Sequence, residues 1–183
     1  MTSDRTDLLA LIGGLAVVHG KVRLSSGATA DYYVDLRRVT LHHRAAPLVG
    51  RVLLDLLDAA EIEADAIGGL TMGADPVAAA VLHAAAARGR ALDAFVVRKE
   101  GKAHGLQRRI EGPDVQDRRV VAVEDTSTTG GSVLTAVEAL RAAGAEVVAV
   151  AVIVDRDTGA REAVEAEGLT YLTAFTKADL GLG

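Results

Sequence analysis

The sequence predicts an α/β fold, an open parallel β-sheet flanked by helices. Three observations carry that expectation. Apolar residues make up 50% of the chain and aromatics only 3%. The core must therefore be built from Val, Ile, Leu and Ala, which suits Val-rich strands under Ala- and Leu-rich helices better than an aromatic-packed sandwich. From residue 66 onward, short Val-rich runs alternate with stretches of helical periodicity, the pattern of right-handed βαβ units. Ligands in such sheets bind at the carboxyl ends of the strands, which directs attention to residues 68–75, 98–118 and 124–132.

Along the chain, Asp4 to Val18 places Leu8, Leu11, Ile12, Leu15 and Val18 at helical spacing, with Gly20 to end the helix. The turn Ser25-Ser26-Gly27 leads into a short strand at Tyr32 to Leu36. A second helix, about Arg44 to Ala60, carries Leu48, Val52, Leu53 and Leu56 on one face. A strand at Ala66 to Gly68 runs into the Gly-rich turn Gly68 to Gly73. Asp75-Pro76 then opens a helix, proline being suited to a first helical turn. Ala94 to Val97 is a strand, and Lys99 to Arg118 is long and irregular. Strands at Val120 to Val123 and Val147 to Val154 alternate with helices at Gly131 to Ala143 and Thr158 to Glu167. A short strand and turn end the chain. No repeat or linker interrupts it, so residues 1–183 are expected to form one domain.

Composition removes several functions. Without cysteine there is no disulfide, thiolate metal site or cysteine nucleophile. The net charge of −5 argues against a general nucleic-acid surface. The N-terminal segment carries acids ahead of its apolar stretch, unlike a secretory signal, and no apolar run approaches the roughly 18 residues of a membrane span. A cytoplasmic protein without nucleic-acid or membrane partners is expected. The charge is uneven, however: Arg98, Lys99, Lys102, Arg108 and Arg109 are opposed only by Glu100. Such an island fits a small anionic ligand held at one place, and on charge alone it fits a solvated loop equally well.

The strongest motif is Val120-Val-Ala-Val-Glu-Asp-Thr-Ser-Thr-Thr-Gly-Gly-Ser132. An apolar strand ends in two adjacent carboxylates, and a hydroxyl- and glycine-rich turn then opens a helix. Free N–H groups and the positive end of the helix dipole make that turn an anion cradle. Thr126, Ser127, Thr128, Thr129 and Ser132 add hydroxyls, while Gly130 and Gly131 let backbone approach a phosphate. Glu124 and Asp125 would repel phosphate, but they suit the two hydroxyls of a ribose. Two acids closing a Val-rich strand are costly without such a partner. The loop has neither a Gly-Lys-Ser/Thr sequence nor GxGxxG.

This segment resembles the phosphoribosyl pyrophosphate (PRPP) signature of the type I phosphoribosyltransferases. The resemblance implies an open parallel sheet with a small N-terminal hood over the base site, to which about residues 1–40 contribute. It also implies ribose contacts from Glu124 and Asp125 and 5′-phosphate contacts from Thr126 to Ser132. The segment Arg98-Lys-Glu-Gly-Lys-Ala-His-Gly105 is similar to the lid of the orotate members, as is Ile110-Glu111-Gly112. By that resemblance Arg98, Lys99, Lys102 and His104 bind PRPP and stabilise departing pyrophosphate, with Lys102, His104 and Asp125 as catalytic residues. The lid would cross to a neighbouring subunit, so a homodimer is expected.

Other segments extend the resemblance over most of the chain. Ser25 to Asp35 is similar to the N-terminal segment of the orotate members, which puts Tyr33 and Val34 against the pyrimidine ring. Gly69 to Pro76 resembles their pyrophosphate loop. Asp155-Arg156 resembles their orotate contact, with Thr128 beside it. A guanidinium fork matches the carboxylate and carbonyls of orotate, the alternative on the residues alone being a surface salt bridge to Asp155 or Asp157. Two positions depart from the family pattern: Ser25 stands where many members carry Lys, leaving Lys21 as a candidate substitute, and Met72-Gly73 replaces a loop Lys, leaving backbone N–H groups.

The implied reaction is transfer of the phosphoribosyl group of PRPP to orotate, giving orotidine 5′-monophosphate and pyrophosphate in pyrimidine biosynthesis. Mg²⁺ is the expected cofactor, held mainly by PRPP, with Glu124 and Asp125 reached through water. Two rivals are transfer to another base, such as adenine or xanthine, and a PRPP-sensing regulator without the chemistry. The regulator needs a nucleic-acid-binding surface that an acidic chain does not offer.

Overall fold

The computed structural model describes residues 3–23, 29–99 and 109–182. The chain runs α1 (Ser3–Leu15), β1 (Val17–Arg23), β2 (Thr29–Val34), α2 (Arg37–Thr40), α3 (Ala46–Ala59), β3 (Ala66–Leu70), α4 (Ala74–Ala87), β4 (Asp93–Val97) and β5 (Ile110–Glu111). It continues through β6 (Arg119–Ser127), α5 (Gly131–Ala142), β7 (Glu146–Asp155), α6 (Ala160–Ala166), β8 (Thr170–Thr176) and a 3-10 turn at Ala178–Leu180. β1 and β2 form a separate antiparallel ribbon, the small N-terminal unit, while the other strands form one sheet in the order β5-β4-β3-β6-β7-β8.

β3, β4, β6, β7 and β8 are parallel, as the alternating pattern predicts. The edge departs from it. β5 pairs antiparallel with β4 through Val96↔Glu111 and Val97↔Ile110, and the Arg98 N–H donates to the Arg109 carbonyl at 2.7 Å. A pair of residues inside a long polar stretch gives no period to read, so this strand is not visible in the sequence.

Strand alternation sorts the core into two layers. Val121, Val123, Ala149, Ala151 and Ile153 face the layer built with α1, α3 and α4. Val120, Ala122, Val150 and Val152 face the layer built with α5 and α6. All nine are essentially inaccessible to solvent. Burial on both faces explains why β6 and β7 read as continuous Val/Ala runs. Each fully buried Val contributes roughly 1.5–3 kcal/mol relative to exposure.

Two boundaries differ from the periodic reading. The N-terminal helix stops at Leu15, and Val17 and Val18 enter β1, opposite Val34 and Tyr33. Val18 fits a helical face by spacing alone, but its branched Cβ favours the ribbon. The second strand begins at Thr29 and ends at Val34, so that Leu36 enters the core at the start of α2 instead of within a strand.

From β3 the chain moves outward to β4, then returns past β3 to build β6, β7 and β8 on the other side. The direction reverses between β3 and β6. Their carboxyl ends flank a crevice there, the place where such sheets bind ligands.

Candidate active site

A cleft of about 370 Å³ occupies that crevice. β2 and its exit supply Tyr33, Val34, Asp35, Leu36 and Arg37, and β3 and its turn supply Leu70, Thr71, Met72 and Gly73. β6 and the following loop supply Glu124, Asp125, Thr126, Thr128 and Ser132, and Lys99 and Arg156 follow β4 and β7. Segments remote in sequence thus meet around one opening.

The acid pair belongs to β6 itself, which continues through Ser127 and pairs there as Thr126↔Val154 and Ser127↔Asp155. Glu124 is only 7% exposed. The Asp125 N–H donates to Glu124 Oε1 at 3.2 Å, and the Thr126 N–H donates to Asp125 Oδ1 at 2.7 Å. Burial, followed by repulsion from Asp125, pushes Glu124 up to about 8. Burial also raises Asp125, partly offset by the Thr126 N–H. The pair therefore favours retaining a proton at neutral pH until a hydroxyl donor or a cation stabilises the second charge.

The turn after β3 closes the floor. The Thr71–Met72 peptide is cis, and Thr71 Oγ1 donates to Asp75 Oδ2 at 2.8 Å. Gly73 lies against the acids: a Cβ there would sit 2.6 Å from Glu124 Oε1 and 2.8 Å from Asp125 Oδ1. Only glycine lets this backbone lie so close to both carboxylates.

At α5, Gly130 is the N-cap residue in the left-handed conformation (φ 80°), and no side chain caps the helix among the described residues. Its first-turn N–H groups are thereby left to an anion. Thr126 Oγ1 is buried without a hydrogen-bond partner among the described residues. Ser127 is buried at the end of β6, and its carbonyl accepts the Arg156 N–H at 3.0 Å. Asp155 is buried too and accepts the Asp157 N–H at 2.9 Å. Arg156 points instead toward the ribbon, its guanidinium carbon 5.9 Å from the Tyr32 ring centroid.

Of the residues the sequence singles out, the structure brings Tyr33, Lys99, Glu124, Asp125, Thr126, Thr128, Ser132 and Arg156 into one cleft. Thr129, Gly130 and Gly131 belong to the same turn but not to the cleft wall. Arg98 is outside the wall and pairs with Glu111 at 3.4 Å. Lys21 is exposed on β1 and is not among the residues that line the cleft. Lys102, His104 and Ser25 lie outside the described residues.

Sequence reading missed Asp35 and Arg37. Arg37 Nε donates to Asp35 Oδ1 at 2.8 Å, and its backbone N–H donates to the same oxygen at 3.3 Å. The acid-x-basic spacing in Asp35-Leu36-Arg37 was the available signal.

The chain matches the family model described as the phosphoribosyl transferase domain over residues 37–168. The orotate phosphoribosyltransferase of Streptomyces coelicolor is 70% identical over 183 residues, all of both chains. That of Mycobacterium tuberculosis is 60% identical over 179 residues, covering 98% of this chain and 97% of the relative. Among solved structures, the Mycobacterium tuberculosis orotate phosphoribosyltransferase in complex with PRPP superposes with a TM-score of 0.85 at 54% identity, covering 98% of this chain and 99% of that one.

Proposed function

The chain belongs to the phosphoribosyl transferase family, as one of its orotate phosphoribosyltransferases, and from that membership we propose the roles of the residues in its cleft. The reaction joins PRPP and orotate to give orotidine 5′-monophosphate and pyrophosphate. One observation carries the assignment of roles: an acid pair near the carboxyl end of β6 shares one cleft with Arg156, and the same strand leads through a short turn into an uncapped helix N-terminus.

Glu124 and Asp125 accept hydrogen bonds from the ribose hydroxyls, which stabilises the charge they otherwise resist. The turn from Thr126 to Ser132 holds the 5′-phosphate through N–H groups and hydroxyls. The pyrimidine lies between Tyr33 and Arg156, whose fork matches the orotate carboxylate, with Thr128 nearby. The ring nitrogen attacks the anomeric carbon as its bond to pyrophosphate breaks, and the electron pair leaves with pyrophosphate. Lys99 lines the cleft where that charge develops. Arg98, Lys102 and His104 are assigned to the leaving group on sequence grounds. The attacking nitrogen is readily anionic, so no strong protein base is demanded.

Mg²⁺ is the proposed cofactor. Among the described residues no three acidic or histidine side chains converge on one point. The donors that fit are Glu124 and Asp125, and such a sparse set suits an ion held mainly by PRPP oxygens. Bound there, it neutralises part of the pyrophosphate charge.

The whole chain, 1–183, is read as one domain acting in the cytoplasm as a homodimer. An apolar groove of about 640 Å³ between α3 and α4, beside Leu41, supports the dimer. Leu41 is 72% exposed, and Met72 at the cleft rim is 65% exposed. Large apolar side chains in these positions suit a second copy.

The test is loss of orotate absorbance after adding PRPP and Mg²⁺, with adenine and xanthine as parallel substrates. Turnover of orotate alone supports these roles. Turnover of another base overturns the assignments of Arg156 and the lid.

A further inference from the structure

The cleft must bind a polyanion, yet its floor is acidic. Glu124 and Asp125 sit beneath it, Asp35 lies on its wall, and Asp75 repels Glu124 from behind the Thr71–Gly73 turn. That turn holds no cation to offset them. The cations in the wall among the described residues are Arg37, Lys99 and Arg156. Arg156 follows β7 and faces the aromatic ribbon, at the base end. Lys99 follows β4, on the opposite flank. Arg37 enters from the exit of the ribbon and lies close enough to Asp125 for each to feel the other's charge.

Arg37 is also prepared to bind a ligand. Its Nε is engaged by Asp35 at 2.8 Å, which fixes the plane of the guanidinium. Among the described residues its Nη groups have no hydrogen-bond partner, and its side chain is 46% exposed. A guanidinium anchored by one edge presents the other as a fork, the geometry that suits phosphate oxygens. The 5′-phosphate already has an uncapped helix N-terminus. Among the described residues of the cleft wall, pyrophosphate is left with a neutral turn and Lys99.

We propose that Arg37 binds the pyrophosphate group of PRPP, oriented for that task by Asp35, and so supplies the charge that the Thr71–Gly73 turn lacks. The assignment rests on the ribose and phosphate roles given above. It makes Asp35 a positioning residue, and Asp35-Leu36-Arg37 a functional element at the root of the hood.

Inhibition by two fragments of PRPP separates the possibilities. Wild-type turnover of orotate first checks the reading on which the inference rests, and the variants then test the inference alone. Arg37→Gln is expected to weaken inhibition by pyrophosphate and raise the KM for PRPP by about 10- to 100-fold, the range for a lost charged hydrogen bond. Inhibition by ribose 5-phosphate and the KM for orotate should stay within about twofold, that being the scatter expected of an untouched contact. Arg37→Lys keeps the charge without the fork and should recover part of the loss. Asp35→Asn frees the guanidinium and should give a smaller loss of the same kind. Unchanged pyrophosphate inhibition in Arg37→Gln overturns the proposal. So does equal weakening of both fragments, which places Arg37 at the 5′-phosphate or makes its role a general one. Melting temperatures within about 2 °C of wild type are expected, since an exposed ion pair contributes little to stability.

Discussion

Glu124 is the most deeply buried carboxylate in the cleft wall, and it sets a conflict between stability and function. In an unfolded chain such a group ionises near 4.5, whereas in the folded protein it does so near 8. Between those values the folded state holds a proton that the unfolded state has lost. Stability from this group is therefore greatest at low pH and falls as pH rises through that window. Glu124→Gln removes the penalty. Thermal melts at pH 8 should show the variant more stable by roughly 3–8 °C, with the difference shrinking toward pH 5. PRPP affinity should fall by about 10-fold or more because a charged acceptor is gone. A variant no more stable at pH 8 would mean that the pair is not strained when empty. Gly73 makes a second residue-scale case, since the Cβ of Ala would lie within 2.8 Å of both acids. Gly73→Ala should raise the KM for PRPP about tenfold or more and cost about 1–3 kcal/mol of stability. An unchanged KM would show that the turn moves aside freely. At this scale the acids and Arg156 were legible because each closely follows a Val-rich run that reads as a strand. Arg37 was not, because it follows a ribbon whose path to the cleft no local pattern describes.

The elements that carry the site were legible wherever burial imposed a period. β6 and β7, covered on both faces, and α3, apolar on one, fall close to their expected places. The ribbon was not, since Val18 satisfies a helical face and a strand equally until pairing of Val17 and Val18 with Val34 and Tyr33 decides. The extension of β6 through Ser127 was also hidden, because acids and hydroxyls do not look like strand interior. Its consequence is functional: the ribose contacts lie on a sheet strand, held more rigidly than a loop would hold them. The joint between β6 and α5 depends on Gly130, whose φ is 80° and whose added Cβ would meet the Ala160 carbonyl oxygen at 3.4 Å. An L-residue there costs about 1–2 kcal/mol. Gly130→Ala should lower the melting temperature by roughly 2–8 °C and raise the KM for PRPP. Gly131→Ala is the stability control, as that residue is helical and its Cβ would meet only Thr129 Oγ1, at 3.9 Å. It should melt at or above the wild-type temperature. Equal destabilisation by both would remove the special role of the left-handed N-cap.

For the whole molecule, the proposed homodimer predicts that one cleft is completed by a second chain. The apolar groove between α3 and α4 includes Leu41, Pro47, Ala80 and Ala84 and shares its rim with Arg51 and Arg88. Arg51 is already paired with Asp4 at 2.7 Å, and Arg88 with Asp55 at 2.7 Å, so these rim charges are largely neutralised. A neutral rim around an apolar centre is the composition of an interface between like copies. Leu41→Asp puts an unpaired charge on the exposed lining of that groove and should release monomers at micromolar concentration, read by sedimentation velocity. If the loop containing Lys102 and His104 serves the neighbouring cleft, the monomer should also lose most of its orotate turnover while still binding PRPP. Mixing Lys102→Ala with Asp125→Asn, each inactive alone, should then restore activity, because a mixed dimer holds one cleft with both residues intact. A Leu41→Asp protein that stays dimeric would move the interface elsewhere on the surface. A monomer with full kcat would place the loop over its own cleft, and the mixing experiment should then recover nothing.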